Sequence, residues 1–117
     1  MNTKIGYMYR DGSNYKQYNE VIIAGTLTQQ EKNDIVKALD EGQYFIPSQV
    51  GLCDLQERMI AFPNDDDHVW HELNIKDITE TENEPTINHC FDHVRELAAQ
   101  FKKVKWNIEE AMKENGL

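Results

Sequence analysis

The segment "NDDDHVWHEL" (64–73) brings three aspartates, two histidines, a tryptophan and a glutamate into ten positions. Imidazole and carboxylate converging on one point could hold a divalent metal or move a proton, and His68, His71, Asp67 and Glu72 have the right chemistry. The spacing argues otherwise. The run 68–78 reads as a strand, and in a strand His68 and His71 point to opposite faces. It is also not H-E-x-x-H, where a helix aligns two histidines. Val69, His71, Leu73 and Ile75 then line one face, so His71 is expected as a buried, hydrogen-bonded histidine rather than a ligand. Trp70 shares the other face with Glu72, where it covers a loop or meets a partner. A second cluster, "HCFDHVRE" (89–96), places His89 and His93 four apart, adjacent if the segment is helical. Two more ligands would be needed for a structural zinc site, and "DHVWH" could supply them. The metal alternative therefore rests on His68, His71, His89 and His93, with zinc or another divalent ion.

Nucleophilic catalysis has no local support, because the chain carries no G-x-S-x-G elbow, P-loop or dinucleotide glycine pattern. Cys53 has no histidine beside it, and the two cysteines, Cys53 and Cys90, form no C-x-x-C pair. They are expected as reduced, largely buried thiols. Binding has more to recommend it. "YMYRDGSNYKQY" (7–18) gathers four tyrosines with Arg10 and Lys16, the side-chain types enriched at binding hot spots. Tyr7 and Tyr9 are expected in the core of a strand, which leaves Tyr15 and Tyr18, in a loop over 11–19, as partner contacts. With Asp65, Asp66, Asp67 and Trp70 they make the candidate partner-binding set.

The elements that must position these residues begin with strands over 4–10 and 20–25, joined through the turn-forming "DGSN" (11–14). "TQQEKNDIVKALDEG" (28–42) is a helix opened by a Thr28/Glu31 capping box, with Ile35, Val36 and Leu39 inward and Gly42 as its stop. "YFIPSQVGL" (44–52) reads as an extended piece entering one helical turn between Pro47 and Gly51. A hairpin is expected from strands over 55–62 and 68–78 around "PNDDD" (63–67), followed by a polar linker over 80–85. Ile87, Cys90, Phe91, Val94, Leu97, Ala98, Phe101 and Val104 share one helical stripe. A break at Trp106 and Asn107 precedes a last short helix. The sum is one α+β domain spanning 1–117, with three to four antiparallel strands and two main helices on one face.

The net charge is −9 over 117 residues, and the acidity sits in residues 20–100 while both ends are mildly basic. Such a surface disfavours nucleic acid and anionic membrane and suits a basic protein partner. The N-terminus shows no signal peptide and no run reaches a membrane span, so a cytoplasmic location is expected. In "YRDGSNYK" (9–16), "YFIPSQVGL" (44–52) and "DDHVWHEL" (66–73) the chain resembles a family of small, uncharacterised bacterial and phage proteins. The resemblance implies a compact bacterial or mobile-element protein and carries over no functional residue. The expectation is a small acidic, non-enzymatic interaction protein that binds and modulates or inhibits another protein, of the immunity, inhibitor or counter-defence type. The alternative is a metal-dependent protein or enzyme using the His/Asp cluster.

Overall fold

The computed structural model describes residues 1–58, 67–87 and 90–117. Its elements are β1 (Asn2–Arg10), β2 (Lys16–Ile23), α1 (Gln29–Ala38), β3 (Tyr44–Phe45), β4 (His71–Thr81), α2 (Val94–Lys103) and α3 (Ile108–Glu114). The strands form one antiparallel sheet in the order β2-β1-β4-β3. This is the α+β architecture the sequence predicts.

Alternation along β1 decides the two faces. Thr3, Ile5, Tyr7 and Tyr9 are buried, while Lys4, Met8 and Arg10 lie on the other side, half-exposed. The inner face packs Ile5, Tyr7, Tyr9, Val21, Ile23, Phe45, Leu73 and Ile78 against Ile35 of α1, its C-cap Leu39, and Val94, Leu97, Ala98 and Phe101 of α2. Each large apolar side chain fully buried here contributes about 1.5–3 kcal/mol relative to exposure. A smaller cluster of Ile46, Val69 and Ala111 of α3 takes in Trp70, Trp106 and Leu117.

The helix starts follow local chemistry. Thr28 caps α1 and Glu31 returns the bond, completing the expected box. The helix ends at Ala38, earlier than Gly42, and the Trp106 indole donates to the Ala38 carbonyl (2.9 Å). Asn107 caps α3. Its main chain is clasped by Gln49, which donates to the Asn107 carbonyl and accepts from its N–H. Pro47 opens the expected helical turn.

Several expectations give way. The turn after β1 is tighter than a loop over 11–19, because the Asp11 carboxylate accepts from both Ser13 and Tyr15 N–H and the strand resumes at Lys16. Tyr18 therefore sits in β2, not in a loop. Residues 55–58 are not strand: Leu55 leads into a 3-10 turn over Gln56–Arg58, and the remainder of the expected 55–62 strand lies outside the described residues. β4 extends to Thr81, two residues into the expected linker.

The late helix begins only at Val94. Gly25 (φ 87°) lies so close under His93, and Gly51 (φ 90°) under Phe91, that a Cβ at either would stand 2.1 Å and 2.7 Å from those rings. Residues 91–93 are thereby docked onto the loops after β2 and β3, and the Val94 N–H donates to the Ala24 carbonyl (2.8 Å). Both cysteines are exposed, contrary to expectation, Cys53 in the loop after β3 and Cys90 before α2.

The largest departure lies in β4. Ile5 faces Ile78 and Tyr7 faces Leu73, so Gly6 alone stands opposite residues 74–77. That offset is odd, so the strand changes its inward parity across the bulge, from His71 and Leu73 to Ile78. Ile75 is displaced from the expected core face and is 39% exposed. Within the bulge the Asn74 side chain accepts from Lys76 N–H (3.0 Å), a turn-like bond typical of Asn.

Candidate functional site

The histidine cluster resolves into a structural network around Tyr9. Its hydroxyl donates to the Asp67 carboxylate (2.6 Å) and accepts from the His68 N–H (3.1 Å). His68 precedes β4, so strand alternation does not apply to it. Both imidazoles lie against the Tyr9 ring, each 5.1 Å away between ring centres, instead of on opposite faces.

The ring nitrogens are committed. His71 Nε2 accepts from the buried Leu55 N–H (2.9 Å), so its Nδ1 carries the proton and donates to the Val69 carbonyl (3.2 Å). His68 Nδ1 accepts from Trp70 N–H (3.0 Å), leaving Nε2–H to donate to the Arg10 carbonyl (2.7 Å). Burial lowers the His71 pKa to about 4, which keeps the ring neutral. Burial, with the Asp67 carboxylate beside it, holds the Tyr9 phenol far above its ordinary range. Tyr7 is raised in the same direction by burial; it donates to the Cys53 carbonyl (2.7 Å) and accepts from Asn19 (3.2 Å).

His93 is the N-cap of α2 and accepts from Arg95 N–H (3.0 Å). Residues 91–93 precede the helix, and His89, the other half of the expected pair, lies outside the described residues. Among the described residues no three His, Cys, Asp or Glu side chains are grouped to hold a metal ion.

The candidate partner contacts separate. Tyr15 and Tyr18 are 69% and 66% exposed. Asp67 is half-buried under Tyr9, and Asp65 and Asp66 lie outside the described residues. Trp70 is half-buried and stacks edge-on against Trp106, with centroids 6.3 Å apart, so it covers the smaller core cluster.

The site that sequence reading missed lies at the bulge in the sheet. Where the bulge leaves β1, a cleft of about 570 Å³ opens beside Gly6. Met8, Tyr18, Glu20 and Glu72 from the outer side of the strands, Tyr7, Asn19 and Leu73 from the inner side, Asn74, Ile75 and Asp77 of the bulge, and Val36 of α1 with its C-cap Leu39 all line it. Its charged lining consists of three carboxylates, Glu20, Glu72 and Asp77. Lys4 approaches Glu20 at 3.7 Å and Arg10 holds Glu72 at 3.1 Å, whereas Asp77 has no ion-pair partner among the described residues. The signal in the sequence was Gly6 itself, a glycine inside a strand, together with the turn formers Asn74 and Asp77 inside another.

Among the described residues no helix is long and apolar enough to cross a membrane. Compared with protein-family models, curated proteins and solved structures, the chain matches none of them.

Proposed function

We propose that this chain is a non-enzymatic binding protein that docks a basic segment of another protein in the cleft at the bulge of its sheet and so modulates or inhibits that protein. The observation that carries this reading is the cleft beside Gly6, whose charged lining is entirely carboxylate and whose rim includes the exposed Tyr18. A lysine or arginine entering there would meet Asp77, which has no ion-pair partner among the described residues, and an aromatic face suited to cation–π contact. The acidic balance of residues 20–100 would steer a basic partner toward it. Tyr15, exposed just before β2, is the second tyrosine contact, and the acidic run Asp65, Asp66 and Asp67 is an outlying one.

The test is a titration of the labelled protein with short lysine- and arginine-rich peptides, followed by amide chemical shifts. Saturable changes at Gly6, Tyr18 and Asp77, weakened several-fold in Asp77→Asn, support the cleft. Changes confined to 67–70 would move the contact to the acidic run. No saturable change at either place sinks the reading.

A further inference from the structure

The main-chain groups along β2 point alternately toward β1 and away from it. Ile22 fixes the phase: its N–H donates to the Thr86 hydroxyl (2.8 Å) and its carbonyl accepts from Thr86 N–H (2.8 Å), both outside the sheet. The β1–β2 register is unbroken from Arg10↔Lys16 to Thr3↔Ile23. Glu20, Tyr18 and Lys16 therefore also turn their N–H and C=O outward. Among the described residues nothing pairs with those groups. The open stretch is bounded at one end by the 84–87 segment on Ile22 and at the other by the turn after β1, where the Asn14 N–H folds back onto the Asp11 carbonyl (3.0 Å).

That window, Lys16–Gln17–Tyr18–Asn19–Glu20, is centred on Tyr18, and its charges are opposite at the two ends. We infer that β2 is a self-pairing edge: two copies of this chain join antiparallel through Lys16 to Glu20, about a two-fold axis at Tyr18, into one eight-stranded sheet. In that register Lys16 faces Glu20 of the second copy and Glu20 faces its Lys16. Tyr18 meets Tyr18, and Gln17 meets Asn19 on the inner side. All three outward pairs of main-chain groups are satisfied on each chain. Displacing the register by two residues would leave outward groups unpaired and separate the opposite charges. Glu20 is 67% exposed in its side chain, and its approach to Lys4 is a long 3.7 Å, so it is free to reach across. A two-fold interface of this kind is isologous and closes on itself, so it makes dimers rather than fibres. The inference stands apart from the ligand of the cleft.

Sedimentation equilibrium over about 1 to 500 μM suits so short an interface. The mass is expected to rise from one chain to two. Lys16→Glu puts like charges opposite each other twice per dimer and should weaken association by about tenfold or more. Adding Glu20→Lys to that variant restores opposite charges only under the two-fold register, and should recover affinity to within about threefold of the original. Tyr18→Pro removes an outward N–H and should abolish the dimer while the circular dichroism spectrum is kept; if that variant unfolds, the charge pair decides. A chain that stays monomeric throughout the range overturns the inference. So does a dimer indifferent to Lys16→Glu, or one that Lys16→Glu weakens and the double exchange fails to restore.

Discussion

The two edges of the sheet solve the same problem in opposite ways. At β3 the strand is two residues long and the Asp40 main chain closes over it, donating to the Tyr44 carbonyl (2.8 Å) and accepting from its N–H (2.9 Å). Pro47 then ends the extended run. Behind that edge His71 ties β4 to the loop before the 3-10 turn through Leu55. At β2 none of these devices is used between Lys16 and Glu20, where an unbulged strand has outward main-chain groups that nothing pairs with among the described residues. An exposed edge is ordinarily blunted by proline, bulges or charge. Here one charge sits at each end of the window, and the two are of opposite sign. The difference separates an edge finished by its own chain from one that no described residue finishes between Lys16 and Glu20.

The sharpest way to break the contrast is proline placed by parity. Asn19 turns its N–H toward β1, so Asn19→Pro should cost about 3 kcal/mol or more, read as a lost or much earlier thermal transition. Tyr18→Pro, one residue away but with an outward N–H, should cost less than about 1 kcal/mol for the monomer. Equal costs would mean that the edge is phased differently.

Next comes acid on the closed side. His71 has its pKa lowered from 6.5 to about 4 by burial, so the unfolded chain binds the extra proton first. Stability should be complete above about pH 6.5 and fall as the pH drops toward 4, by up to roughly 3 kcal/mol from this group. Denaturant melts at successive pH values measure it, and a His71→Phe variant should lose most of that slope. At neutral pH the same variant should be destabilised by about 1–3 kcal/mol, because the buried Leu55 N–H loses its acceptor.

The smallest effects belong to the open edge. Tyr15→Ala and Tyr18→Ala should change monomer stability by no more than about 0.5 kcal/mol, since both rings stand in solvent. Amide exchange in dilute solution should alternate along β2, fast at Lys16, Tyr18 and Glu20 and slow at Gln17, Asn19 and Val21. Raising the concentration should slow the fast set. Uniform exchange along the strand would remove the distinction between the two edges.

Much of the fold was legible because its signals are local. The Thr28/Glu31 box, the Asp11 turn, the Pro47 turn and the Asn107 break each act within a few residues, and all stand close to where the sequence puts them. The buried state of Tyr7, Tyr9 and His71 followed from period-two alternation. Ile75 did not follow it, because the bulge at 74–77 depends on which β4 residues meet Ile5 and Tyr7, a matter of register between strands distant in sequence. The apolar stripe from Ile87 to Val104 looked like one helix. Its first part is instead pinned by Gly25 and Gly51, whose approach to His93 and Phe91 only the packed chain creates.

The candidate site divides in the same way. The sequence alone determined that the protein is acidic, lacks local catalytic motifs, and carries tyrosines near its first turn, because composition and short-range chemistry need no fold. Tertiary structure alone decided that His68 and His71 face one tyrosine ring with every ring nitrogen engaged. It also decided that Trp70 rests on Trp106 and that a cleft opens beside Gly6. Those outcomes depend on which main-chain groups meet across the sheet, and a hydrogen bond from Leu55 to His71 or an unpaired edge at Tyr18 exists only once the strands have found their register.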